Sequence, residues 1–140
     1  MNEEMQKKIF CRYSQHGIKF KTWKELKQKT GLKEKKDIYC YYCGVKLEAI
    51  TEYPHHNLVS LEHKIPKYYG GKNTIENTCL SCLKCNIIKG TMKETTYKIF
   101  LELLSIKPEA KKQILEEMFW GKNAKNNKIT KPKKFLWELI

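Results

Sequence analysis

Hydrophobic positions at helical spacing frame a middle stretch in which that spacing breaks up. Met5, Ile9 and Phe10 stand among charges in residues 2–13, the mark of an amphipathic helix, and Gly17 interrupts it. Thr22-Trp23-Lys24-Glu25 reads as a capping box with Thr22 as N-cap, and Gly31 suits a C-cap, so a short helix runs from Trp23 to about Lys29. Lys33 to Asp37 is a charged linker. Val45 to Glu52 and Leu58 to Glu62 read as two strands of a hairpin around the turn-like Pro54-His55-His56-Asn57, and Pro66 stops the second. Lys67 to Asn77, rich in Tyr, Gly and Asn, suits a loop. Leu83 to Lys89 suits a short helix closed by Gly90.

Beyond this, Thr96, Ile99, Phe100, Leu103 and Leu104 give Met92–Ser105 a helical face, with Thr91 and Glu94 placed to cap its start. Pro108 opens another helix that packs Ile114, Leu115, Met118 and Phe119 and ends near Gly121. The tail from Lys122 to Ile140 holds six lysines, one acid and an apolar patch of Phe135, Leu136 and Trp137. It reads either as a basic arm along phosphate or as a solvated tail with an apolar anchor. The pattern divides the chain into an N-terminal helical extension (1–37), a core (38–92), and C-terminal helices with a basic tail (93–140).

Charge narrows the partners. With 28 Lys+Arg against 15 Asp+Glu, the formal net charge is +13, an excess suited to a polyanion such as nucleic acid and equally to a well-solvated surface. No apolar run reaches the roughly 18 residues that span a bilayer. The N-terminal Met1-Asn-Glu-Glu-Met-Gln-Lys-Lys lacks the apolar core of a signal peptide, so an intracellular, reducing compartment is expected.

In that compartment the cysteines read as metal ligands. Cys40/Cys43 and Cys82/Cys85 are two CxxC pairs, each beside a turn-favouring residue (Gly44, Asn86), and together they complete the four-thiolate shell of a closed structural zinc site. The intervening residues 44–81 are about twice the roughly 15–20 of a simple zinc ribbon, so a folded insert fills the gap. A redox role fits poorly, since neither pair has the strand-to-helix setting it needs. Cys11 and Cys79 are left as small buried hydrophobes. With four thiolates the zinc has no open position, and catalysis must come from other residues.

Those residues sit inside the insert: Glu62-His63-Lys-Ile-Pro66, Gly70-Gly71-Lys72-Asn73, Asn77, and Cys85-Asn86-Ile-Ile-Lys89-Gly90. With the cysteine pairs, in this order and spacing, they resemble the HNH endonucleases, the ββα-metal family, in its zinc-stapled members. The resemblance implies an α+β fold, a small ββα-metal core stapled by zinc with flanking helices. It implies a metal-dependent endonuclease that hydrolyses phosphodiester bonds in DNA to leave a 5′-phosphate and a 3′-hydroxyl. His63 would be the general base, Glu62 and Asn86 would hold a catalytic Mg2+ or another divalent cation, and Asn77 would tie the loop that aims His63. Imidazole suits a base at neutral pH, and carboxylate and amide oxygens suit a hard ion. The family's acid is most often Asp, one methylene shorter than Glu62. Neighbours in a regular strand face opposite sides, so Glu62 and His63 share a site only where the strand breaks, near Pro66.

Lys64, Lys67, Lys72 and Lys89 are candidate contacts to the nucleic-acid backbone, with a solvated helix end as the alternative for Lys89. His55 and His56 suit an exposed turn, and Tyr68 and Tyr69 suit packing beneath the loop. Two rival functions remain at this point: a non-catalytic zinc module that binds nucleic acid, and a protein-interaction zinc domain. The second leaves Glu62, His63 and Asn86 without a use.

Overall fold

A computed structural model describes residues 2–32, 37–52, 55–106 and 109. Its elements in order are α1 (Glu3–Gln15), α2 (Trp23–Thr30), β1 (Val59–His63), a 3-10 turn (Lys67–Tyr69), β2 (Thr78–Cys82), α3 (Leu83–Lys89) and α4 (Glu94–Ile106). The fold is α+β, with β1 and β2 forming a two-stranded antiparallel sheet. The expected helix from Pro108 and the basic tail lie outside the described residues, as do Pro54 and most of the charged linker. Among the described residues no helix is long and apolar enough to cross a membrane. The chain forms two compact units, the first ending at Asn86 and the second beginning at Ile87.

Local chemistry sets the ends of the first two helices. Asn2 Oδ1 accepts the Met5 N–H at 2.8 Å, and Glu3 and Glu4 sit at the positive end of the α1 dipole. At the other end the Gly17 N–H donates to Ser14 O (2.9 Å) and the Ile18 N–H to Tyr13 O (3.0 Å). This bond pair is a Schellman motif, which needs a left-handed residue at position 17, and glycine takes φ 75° there. His16 is thereby fixed as the C-cap of α1. In α2 the Thr22 hydroxyl accepts the Glu25 N–H at 3.1 Å as expected. The Glu25 carboxylate, however, accepts from Lys21 N–H, one residue before the position a capping box uses.

Met5, Ile9 and Tyr13 form the buried face of α1, which packs against β1, while Phe10 meets Trp23 of α2 at a ring separation of 5.8 Å. Ile9 and Leu26 are fully buried, each contributing roughly 1.5–3 kcal/mol of hydrophobic stabilisation. Cys79 is buried as expected, but Cys11 is exposed, because it lies off the Met5–Ile9–Tyr13 face.

The sheet corrects the expected hairpin. The partner of β1 is β2, with Val59 opposite Cys82, Leu61 opposite Leu80 and His63 opposite Thr78, rather than Val45–Glu52. That segment makes only isolated bridges, Tyr39 to Lys46 and Glu48 to Leu58. Its start is taken up in closing the first cysteine turn, where the Cys40 N–H reaches Val45 O (2.8 Å) and the Leu47 N–H reaches Ile38 O (2.8 Å). Both β1 and β2 are buried along their full length, so neither shows the alternation that marks a strand with one wet face.

In the second unit, α4 starts at Glu94, two residues later than expected, so Thr91 is not its N-cap. Its buried side is Tyr97 and Phe100, whose rings lie 5.8 Å apart, while Ile99 and Leu103 of the expected face are exposed. The expected stripe was rotated by counting Thr96 in place of Tyr97.

Candidate functional site

Cys40 and Cys43 bracket a turn closed by the Gly44 N–H on Cys40 O (3.0 Å), with Gly44 at φ 77°. Cys82 ends β2 and Cys85 lies in the first turn of α3, which follows without a linker. The four Sγ atoms lie within 4.8 Å of one another, Cys43 and Cys82 at 3.7 Å. Sulfurs about 2.3 Å from a tetrahedral zinc are separated by about 3.8 Å, so the donor set fits that ion.

The two pairs repeat one local design. The N–H of Cys43 points at Cys40 Sγ (3.5 Å), and that of Cys85 at Cys82 Sγ (3.3 Å). Such donors favour thiolate. Hydrogen bonds from Cys82 and Cys85 hold the Cys40 thiol well below its usual range, while Cys82, bonded to Cys40, is pushed up. Among the described residues this is the one cluster of three or more His, Cys, Asp or Glu side chains able to hold a metal.

The second constellation lies where β1 ends. His63 is the last residue of the strand and is 8 % exposed. Its Nε2 lies 2.6 Å from Asn73 Oδ1. A carbonyl oxygen only accepts, so Nε2 carries the proton and Nδ1 carries the lone pair. The neighbouring Glu62 is buried, and its Oε1 accepts the His63 N–H at 3.1 Å. Both residues are paired within β1, Glu62 opposite Cys79 and His63 opposite Thr78, and the strand ends at His63.

Asn77 ties the loop that follows. Its Oδ1 accepts from Ile65 N–H (2.9 Å), and its Nδ2 donates to Ile65 O (3.0 Å) and Lys72 O (2.9 Å). Its backbone oxygen accepts from Lys64 N–H at 2.7 Å, one step beyond the β1–β2 register. The two glycines of this loop are there for different reasons. Gly70 takes φ 82°, whereas a Cβ on Gly71 would lie 1.7 Å from Ile65 O. Only a bare backbone lets the chain cross so close and present Asn73 to His63.

Asn86 reaches β1 from α3. Its Nδ2 donates to Ser60 Oγ (3.0 Å) and Leu61 O (3.3 Å), which turns Oδ1 to the opposite side of the amide. Glu62 and Asn86 are thus both anchored to β1, each presenting oxygen donors of the kind a hard cation takes.

The remaining candidates divide. Lys64 Nζ lies 5.1 Å above the Tyr41 ring, and Lys67 and Lys72 are exposed on the loop. Lys89 is fully buried, which corrects the reading of it as a solvated helix end or an exposed phosphate contact. Tyr68 is exposed, not packed beneath the loop. His55 bonds Thr51 Oγ1 at 2.8 Å, and the His56 backbone oxygen accepts from Lys84 N–H.

Two residues near His63 had no assigned role in the sequence. Asn73 was legible as part of Gly-Gly-Lys-Asn but not as the imidazole's partner. His16 comes from the C-cap of α1, and its ring lies edge-on to His63 with centroids 4.9 Å apart. Burial, then the charges of His63, Lys67 and Arg12, hold the His16 pKa below the usual imidazole range. Gly17 was the only sequence signal fixing its place.

Residues 40–91 match the family model described as HNH endonuclease. No curated protein matches the chain. The matched segment contains both cysteine pairs, the β1–β2 sheet and α3, and in this part the chain is similar to HNH endonuclease domains.

Proposed function

We propose that the protein is a metal-dependent endonuclease that hydrolyses phosphodiester bonds in DNA, with His63 as general base. The observation that carries this reading is the 2.6 Å bond from His63 Nε2 to Asn73 Oδ1, which in the neutral imidazole favours the tautomer with its lone pair on Nδ1. In the proposed reaction Nδ1 takes a proton from water as the water oxygen attacks phosphorus. The bond to the 3′-oxygen breaks, and that oxygen takes a proton from solvent water, leaving a 3′-hydroxyl and a 5′-phosphate. Asn73 holds the imidazole ring through this transfer, and Asn77 holds the loop that carries Asn73.

Glu62 and Asn86 are the residues that would hold magnesium or another divalent cation, which when bound supplies positive charge to the phosphorane and to the leaving oxygen. The cysteine-bound zinc is scaffold, its four positions filled by thiolate. Lys64, Lys67 and Lys72 belong to the loop after His63 and would track the DNA backbone. The net charge of +13 supports a polyanionic substrate.

The test is cleavage of supercoiled plasmid by zinc-loaded full-length protein with Mg2+, with Mn2+ and with a chelator of those ions. Nicked or linear product that DNA ligase reseals directly is expected with a divalent ion and not without one. Intact plasmid with every divalent ion tried would contradict the proposal.

A further inference from the structure

The N-terminal helix was expected to stand apart from the chemistry, yet its last turn ends beside His63. The Schellman motif at Gly17 sets the C-cap, and the C-cap is His16. Arg12, one turn earlier, donates from Nε to Val59 O at 3.1 Å, which fastens the end of α1 to β1. The His16 ring then rests edge-on against His63 at 4.9 Å. Side chains at positions 12 and 16 of a helix share a face, so α1 meets β1 twice, through Arg12 at its first residue, Val59, and through His16 at its last, His63. Lys67 acts on His16 from the loop, and the groups whose charge His16 senses (His63, Lys67 and Arg12) are all basic.

A cluster of bases around an imidazole is unfavourable to itself and favourable to an anion. The negative end of the α1 dipole favours basic groups at the cap, which helps to hold them together there. A phosphodiester placed against His63 would enter this corner and relieve the repulsion. Aromatic packing alone does not call for two further basic groups, Arg12 and Lys67.

Resting on the nuclease reading above, we infer that His16 is a second substrate-contacting imidazole, supplied by α1, which donates a hydrogen bond to a phosphate oxygen of the DNA bound at His63. Arg12 and Lys67 raise the local positive potential around that contact. His63 accepts the proton from water, and His16 holds the phosphate.

Two substitutions separate this role from packing. His16→Phe keeps a ring against His63 and removes the donor, whereas His16→Arg keeps a donor and removes the ring. Each is compared with the zinc-loaded wild type for affinity to a fluorescent 20-base-pair duplex, measured by anisotropy over a range of salt concentrations with calcium present. Zinc content and melting temperature are measured alongside. Phosphate contact predicts that His16→Phe binds at least fivefold more weakly, while His16→Arg stays within about twofold of wild type. In plasmid cleavage His16→Phe should raise KM more than it lowers kcat.

Equal affinity for wild type and His16→Phe would overturn the inference. So would equal losses in both variants, which would show that the ring itself matters. Those outcomes leave the nuclease reading intact. A wild type that neither binds nor cuts the duplex would instead remove that reading, and this inference with it.

Discussion

Asn77 offers the most quantitative test of how the loop is built. Its side chain makes three hydrogen bonds to backbone, one accepted from Ile65 N–H and two donated to Ile65 O and Lys72 O, all between 2.9 and 3.0 Å. A net contribution of about 0.5–1.5 kcal/mol per bond gives roughly 1.5–4.5 kcal/mol for the set. The bonded groups reach solvent, so those orphaned by truncation rehydrate, and the lower half of the range, about 1.5–3 kcal/mol, is expected for Asn77→Ala. At about 4 °C per kcal/mol for a chain of this size, the melting point should fall by roughly 6–12 °C. Asn77→Asp sharpens the test, because a carboxylate still accepts from Ile65 N–H but faces two carbonyl oxygens with no proton to donate. It should be no more stable than the alanine variant. Thermal melting by circular dichroism, with zinc measured on the same samples, reads both. Zinc should stay bound, because the cysteines lie outside this loop. An Asp variant that melts with the wild type would refute the assignment of the two donated bonds, and an Ala variant within a degree or two would refute the loop's dependence on Asn77.

Three other substitutions probe separate parts of the site. Cys82→Ser should lose zinc and much of the stability, since metal binding contributes on the order of 10 kcal/mol in small zinc domains; metal analysis and melting check this, and full zinc occupancy would contradict it. Gly71→Ala forces a methyl group onto Ile65 O, so the loop must open, and cleavage should fall at least tenfold with zinc retained. Asn73→Ala removes the hydrogen-bond partner of His63 Nε2 and should lower kcat by roughly 10–100-fold with little change in KM, a split that steady-state plasmid kinetics would reveal.

Much of this arrangement was legible because it is written in short-range chemistry. The CxxC pairs declare themselves by spacing, α3 by its glycine stop, and the N-cap Thr22 lies three residues before Glu25, whose N–H it accepts. The strand pairing was not legible. Thr78-Cys-Leu-Ser-Cys82 carries few β-branched residues and is buried on both faces, so the period-two signal vanishes, while Val45–Glu52 carries a strand-like pattern and is drawn into the cysteine turn instead. His63 and Asn86 were found through the ordered motif around them. His16 lies 47 residues before His63 in the chain, and nothing local marks a contact that distant. It depends on a glycine ending α1 at one residue and on an arginine fastening that end to β1.

The account turns on a division of labour, with zinc holding the fold and the imidazole at the end of β1 activating water. The most direct measurement is plasmid cleavage by His63→Ala in the presence of magnesium or manganese, beside its zinc content and melting temperature. The account predicts cleavage reduced at least 100-fold, with zinc bound and the fold intact. Cutting at the wild-type rate by a zinc-loaded His63→Ala protein would contradict it.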